Sequence, residues 1–418
     1  MKGHFNMIQV YNNKSECCGC GICETVCTQN AIEMKMDEIG VIYPKINQEK
    51  CIDCGACKKI CGYNADGANI IKKSYAAVNT SDIFLQKSAS GGIFSAIARS
   101  FLNAGGIVCG VEMSIENNCA EVKHILIKSE VELEKLQGSK YVQSDVKQCF
   151  NEMISYLKEG KKVLFSGTPC QVAAIKSCTR GRFEDNLFTI DIICHGVPSL
   201  KFFNDYLQAE KNKKGIDIKK FIFRDKQYGW GTKGSILGIK DGNMIVEPIN
   251  SRTSSYYSFF LDGEIYRDCC YQCPFAQEKR VGDLTIGDYW GGVEKYSSEI
   301  MEENGGDFSK RKGVSCLLVN TNRGNKILEK YGAFINKVPV DIEKVKIINT
   351  QLKHPTQHTN LRIKIFQIYK KIGYSGVDKI YRKQLYLRKG KNGLKKVLKF
   401  IGFGTIGVRH YQISDKGL

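Results

Sequence analysis

CCGCGICETVCTQNA (residues 17–31) is written a second time, 34 residues later, as CIDCGACKKICGYNA (51–65). Cys17, Cys20, Cys23 and Cys27 become Cys51, Cys54, Cys57 and Cys61, while Gly21/Gly55, Asn30/Asn64 and Ala31/Ala65 stay in step. Each half reads C-x2-C-x2-C-x3-C. Three thiolates two residues apart on a tight loop each reach a different iron of one cubane, and the fourth ligand must come from elsewhere. Zinc sites also use close cysteines, but normally as CxxC pairs separated by a long insert rather than four thiols within eleven residues.

In two-cluster ferredoxins the last cysteine of each run ligates the other run's cluster. On that pattern one 4Fe–4S cluster uses Cys17, Cys20, Cys23 and Cys61, and the other uses Cys51, Cys54, Cys57 and Cys27. Gly21 and Gly55 are expected to let the backbone come close to the sulfides. The segment IEMKMDEIGVIYPKIN (32–47) reads as strand, turn, strand joining the two loops. Cys18 falls outside the repeat and is not expected to be a ligand. Proline commonly follows the last cysteine of such runs, whereas Thr28 and Gly62 stand here, a change that affects the turn and not ligation.

The rest of the chain bounds the setting. At 418 residues, two or three domains are expected. Nineteen cysteines would suggest a disulfide framework in a short secreted chain. The opening MKGHFNMIQVYNNKSE lacks a signal peptide's apolar core, so the expectation is a reducing, cytoplasmic setting. The most apolar stretch, about 93–111, is broken by Arg99 and Asn103, so any membrane contact should be peripheral. Most of the net charge of +19 belongs to the end of the chain, because residues 361–418 carry 15 Lys or Arg against two Asp. LRKGKNGLKKVLKFIGFG (387–404) mixes lysine with apolar residues at near-helical spacing. It suits either a solvated helix or contact with an anionic surface, and no nucleic-acid fold signature accompanies it.

Past Asn69 the texture becomes that of an α/β domain. KSASGGIFSAIARSFLNAGG (87–106) runs from a small-residue loop into an amphipathic helix, so Ser90, Gly91 and Gly92 form either a tight turn or a phosphate cradle. KKVLFSGTPCQVAAIKSC (161–178) predicts strand, turn and helix, with Pro169 at the first helical position, and 186–211 repeats the plan with Pro198. Cys170 and Cys194 therefore both follow strand ends, the edge where open α/β sheets bind ligands. Cys270 and Cys273 form a later CxxC pair, with Cys269 competing for the first place. With Cys170 and Cys194 they supply enough thiols for a third cluster, while ordinary buried cysteines remain the alternative.

SASGG, KYVQSD (140–145), SGTPCQ (166–171), CHGVPS (194–199), FRDKQYGW (223–230) and CYQCPFA…RVGDLTIGDYWG together resemble the beta subunit of coenzyme F420-reducing hydrogenases and F420-dependent dehydrogenases. With the N-terminal repeat, the likeness covers about residues 15–340. It implies a third 4Fe–4S cluster on Cys170, Cys194, Cys270 and Cys273, an FAD, and electron exchange with a deazaflavin or similar hydride carrier. It makes Ser90, Gly91, Gly92, Lys140, Ser144, Gly167 and Thr168 candidates for holding the flavin. His195 becomes a candidate hydrogen-bond donor to cluster or substrate. Arg224, Lys226, Asp283 and Asp288 become either substrate anchors or braces between loops.

The expected architecture is an α+β ferredoxin-like module (1–72), an α/β flavin-binding domain (73–345) and a short basic, mostly helical C-terminal tail (346–418). The expected function is that of an iron–sulfur flavoprotein oxidoreductase passing electrons between a hydride carrier and ferredoxin-type clusters. A small-molecule hydride donor or acceptor and a redox protein are the expected partners. A ferredoxin-fed reductase of a sugar or envelope-glycan precursor, an electron-transfer subunit without catalysis of its own, and a nucleic-acid or membrane-surface adaptor built on the basic tail are the other classes left open. No Ser–His–Asp or paired-carboxylate constellation stands out, and no catalytic acid or base is assigned.

Overall fold

The computed structural model describes residues 8–64 and 69–400, with side chains as far as residue 388. Each four-cysteine run forms a loop that ends in a single helical turn, Ile22–Thr25 in the first and Ala56–Lys59 in the second. Gly21 and Gly55 precede these turns at φ +77° and +71°, left-handed positions that glycine adopts without a Cβ clash. At these positions the chain swings into the helical turn. Between the runs, β1 (Ile32–Met36) and β2 (Ile42–Ile46) pair antiparallel, with Ile32 opposite Ile46.

The body of the molecule is built on a mixed eight-stranded sheet. Its strands are β3 (Lys73–Asn79), β4 (Ile107–Glu116), β5 (Cys119–Ile127), β6 (Val163–Gly167) and β7 (Leu187–Ile192), followed after an excursion by β11 (Leu284–Asp288), β12 (Ser315–Val319) and β13 (Ile335–Pro339). The excursion is a separate antiparallel sheet of β8 (Asp217–Ile222), β9 (Gly234–Lys240) and β10 (Asn243–Ile249). In the large sheet the order is β13-β3-β12-β11-β7-β6-β4-β5. The middle four strands, β11, β7, β6 and β4, run parallel, and the outer pairings are antiparallel.

Strand alternation divides the apolar residues between two layers. In β6, Val163 and Phe165 pack with the helices Lys147–Lys158, Pro169–Thr179 and Leu200–Lys214, while Leu164 faces the helix Ile93–Asn103 with Val108, Ile190 and Leu284. Pro169 opens its helix at the first position as expected, and Thr168 caps it. Pro198 does not repeat that role. It stands one residue before the cap, which is Ser199, whose Oγ accepts from the Phe202 amide.

The segment placed in the tail is in large part body. The helices Asn360–Ile372 and Tyr374–Phe400 send Ile365, Tyr369, Tyr374 and Val377 into the aromatic core around Phe202, Tyr206 and Tyr256. The rings of Phe202 and Tyr206 lie directly against Tyr369 and Tyr374, so residues 360–381 belong to the fold and not to an appendage. No helix among the described residues is long and apolar enough to cross a membrane. The basic tail beyond residue 400 lies outside the described residues.

Candidate iron–sulfur centres

Cys17, Cys20, Cys23 and Cys61 line one cavity, walled by Val10, Ile22, Met34, Pro44 and Ile60. The thiol that completes the set comes from the second run, 34 residues on from Cys27. Amides already point at sulfur: Gly19 N–H donates to Cys17 Sγ at 3.4 Å, and Ala31 N–H donates to Cys27 Sγ at 3.3 Å. Burial pushes the Cys17 thiol up to about 11 and raises Cys23 further. Cys57 lies close to Cys27 and Cys51, the partners expected for the other set, and Cys54 stands exposed at the loop tip.

A second cavity lies at the C-terminal edge of the parallel strands. It is lined by Cys170, Cys194, Cys270 and Cys273 together with Cys269, His195, Arg267, Tyr63 and Thr168. Cys170 is the second residue of the helix that follows β6, and Cys194 lies two residues beyond the end of β7. Cys270 sits in the short helix Asp268–Tyr271. Three separate segments thus bring four thiols to one enclosed space, a donor set that fits a cubane. Cys269 also lines it and hydrogen-bonds Cys270, so it remains the neighbour that competes for that place. Cys269 beside it, aided by the Arg267 guanidinium, holds the Cys270 thiol below its ordinary value, whereas burial raises Cys194 well above its own. Among the described residues no three Cys, His, Asp or Glu side chains converge on the point that a single ion would occupy.

The two cavities are neighbours. Cys18, buried, lies beside Cys170, and Arg267 Nη1 donates to the Cys18 carbonyl. Tyr63 Oη donates to the Cys269 carbonyl at 2.8 Å, and Gln143 Nε2 of the KYVQSD stretch donates to Gly19 O at 3.2 Å. Gly62 stands where proline is common because a Cβ there would lie 2.4 Å from the Ala174 amide nitrogen of the helix Pro169–Thr179. Cys18 stood out in the sequence only as a cysteine outside the repeat, and nothing there marked Tyr63 or Arg267, apart from the place of Arg267 two residues ahead of the CCYQC cysteines.

The residues expected to hold a flavin do not form one free cradle. Gly91 N–H is spent on Ser315 Oγ at 2.9 Å, and Ser90 Oγ donates to Val314 O at 3.0 Å. Gly91 is required by packing, since a Cβ would lie 2.3 Å from Ala77 O. Gly92 caps the helix Ile93–Asn103 at φ +74°. Lys140 Nζ donates to Gln137 O at 2.7 Å and Lys135 O at 3.2 Å. Ser144 is buried between Gln171 and His124, and Gly167 lies under the same Gln171. Thr168 Oγ1 is shared between Gln171 and Cys170 Sγ. With these donors satisfied inside the protein, the set does not fit a pyrophosphate in this conformation, and no chemical step is derived through it.

The four charged candidates brace loops. Arg224 makes a bidentate pair with Asp288, at 2.6 and 2.9 Å, and lies over Trp290, which stacks on Trp230 with centroids 4.5 Å apart. Lys226 Nζ donates to Ser90 O at 2.6 Å and Leu85 O at 2.8 Å. Asp283 accepts from the Thr189 amide and hydroxyl and from Thr321 Oγ1. His195 lines the four-cysteine cavity beside Cys194.

Comparison with known families fits this geometry. Residues 160–367 match the model for the C terminus of the coenzyme F420 hydrogenase/dehydrogenase beta subunit, and residues 74–150 match the model for its N-terminal part. The chain belongs to the family of F420 hydrogenase/dehydrogenase beta subunits. Ahead of these family segments, residues 16–65 match a 4Fe-4S dicluster domain. Among curated relatives of the family is the F subunit of the F(420)H(2) dehydrogenase of Methanosarcina mazei, 24% identical over 308 residues, spanning 69% of this chain and 83% of the relative. Among solved structures, a chain of the F420-reducing [NiFe] hydrogenase complex from Methanosarcina barkeri is 18% identical, with a TM-score of 0.43 over 77% of this chain and 94% of that one. As a member of this family the protein is an oxidoreductase-family subunit with a 4Fe–4S domain.

Proposed function

We propose that the chain is an electron-transfer subunit of an oxidoreductase, passing electrons between a two-electron hydride carrier, F420-like in its chemistry, and one-electron partners. In this reading Cys170, Cys194, Cys270 and Cys273 hold a third 4Fe–4S cluster. Cys17, Cys20, Cys23 and Cys61 hold the inner N-terminal cluster, and Cys51, Cys54, Cys57 and Cys27 hold the outer one. Bound there, the clusters would supply one-electron storage. The protein's own part is to hold the thiolates, exclude water from the inner two sites and present the outer loop to a redox partner. A flavin is no part of this reading, because the donors of Ser90, Gly91 and Lys140 are already used inside the protein.

The observation that carries this reading is the junction at Cys18, where the inner N-terminal cavity and the four-cysteine cavity of the sheet edge meet. Protein purified without oxygen should contain about twelve irons. Reduced F420, NADH and NADPH are then titrated in turn while cluster absorbance is followed, with flavin assayed alongside. Bleaching by one donor supports the reading. About eight irons, or no bleaching by any of the three, would overturn it.

A further inference from the structure

Arg267 is 3% exposed, the one Lys or Arg among the described residues that lines the four-cysteine cavity. Its backbone ties two strand-edge loops together: its N–H donates to Val197 O at 3.1 Å, and its carbonyl accepts from the Cys270 amide at 3.0 Å. Its guanidinium reaches the other way, to the Cys18 carbonyl, and its Nε is buried with no hydrogen-bond partner among the described groups. The groups facing it are sulfurs, those of Cys269, Cys270, Cys170 and Cys18. The adjacent carboxylate, Asp268, is taken by Arg362 at 2.6 Å.

A guanidinium buried without a carboxylate is destabilising unless an anion faces it. The anion here would be a thiolate-ligated cluster, whose net negative charge grows by one when it takes up an electron. We propose that Arg267 is a positioning residue that sets the reduction potential of the third cluster and, by holding the Cys18 carbonyl, keeps the Cys17–Cys18 loop against Cys170. One electron leaving the reduced third cluster would then enter the oxidised inner cluster across this contact. The proposal rests on the cluster assignments made above.

The test uses the full chain, purified anaerobically, with Arg267→Gln, Arg267→Met and Arg267→Lys. The third cluster's EPR signal is identified as the one lost in Cys194→Ala, and its midpoint is read in a mediated titration. Removing the cation disfavours the more negative, reduced state, so Arg267→Gln should lower the midpoint by at least about 59 mV, the shift that corresponds to tenfold in a one-electron equilibrium. Arg267→Lys should recover more than half of that. An unchanged midpoint in Arg267→Gln overturns the proposal, as does an equal shift in Arg267→Lys, which would make the planar fork and not the charge the cause. Loss of the cluster's iron in both neutral variants, but not in the lysine variant, supports the need for a cation. Loss in all three overturns it. A wild-type protein with no third cluster refutes the site assignment itself, and that is seen before any variant is made.

Discussion

The two cysteine runs are near copies in sequence and opposites in setting. In the first, Cys18 is buried and the loop lies under Gln143, Lys147 and Arg267. In the second, the corresponding residue is Ile52, which is 64% exposed, beside an exposed Cys54. The same contrast holds at the turns. A Cβ at Gly21 would touch Lys147, while at Gly55 Ile8 alone among the described residues is near. A repeated motif thus fixes the local loop, and the contact with the sheet decides which copy faces inward and which faces outward.

The sharpest way to break this comparison is to remove one thiol from each copy. Cys20→Ala and Cys54→Ala should each lose about four of roughly twelve irons. Their electron flow should differ. In Cys20→Ala the third cluster should be reduced by a hydride donor but strand its electrons, so that turnover with an external one-electron acceptor is abolished and the outer cluster stays oxidised. In Cys54→Ala the inner cluster should still fill, and only delivery to the acceptor should fail. Rapid-mixing absorbance and EPR distinguish the two. If Cys54→Ala also blocked filling of the inner cluster, the inward and outward assignments would be reversed.

A smaller effect is expected at the residue after each last cysteine. Gly62 packs on the backbone of Ala173 and Ala174, so Gly62→Ala overfills a tight contact and should cost about 1–3 kcal/mol. Thr28, its counterpart, is exposed, and Thr28→Ala should change stability by no more than about 0.5 kcal/mol. Urea unfolding of the two variants measures the difference. Equal costs would mean that both turns sit in equivalent surroundings.

These positions show what was legible beforehand. The eight N-terminal cysteines could be read from spacing because their loops are local, and so could the β1–β2 hairpin and the strand–helix units at 163–179 and 187–214. Pro169 announced its helix; Pro198 did not, because Ser199 behind it is the better cap. What spacing could not carry was contact between distant segments. Gly62 against Ala174, Cys18 against Cys170 and Tyr369 against Phe202 are set by how layers stack, and no nearby residue signals them. SASGG left two readings open for the same reason. Its small residues suit a phosphate as well as they suit the close approach of Ala77 and Ser315, and only the tertiary contact distinguishes the two.

The smallest expected effect concerns a charge that one run has and the other lacks. Glu24 pairs with Lys147 at 2.8 Å, bridging the first run to the helix Lys147–Lys158, whereas Lys58 holds the equivalent place in the second run and is exposed. Both partners of the pair are part-exposed, so Lys147→Ala should cost only about 0.2–1 kcal/mol, less in high salt. Glu24→Ala should cost somewhat more, because Glu24 Oε1 also accepts from the Met34 amide at 3.3 Å. Lys58→Ala should be neutral within about 0.5 kcal/mol. The carboxylate raises Lys147 above its ordinary 10.5, so the lysine's contribution is complete at neutral pH and is lost as pH rises through the lysine's own titration. Urea midpoints at neutral pH in low and high salt test the order Glu24, then Lys147, then Lys58. If Lys58→Ala cost as much as Glu24→Ala, the second run would also be docked, and the distinction between an inward and an outward copy would fail.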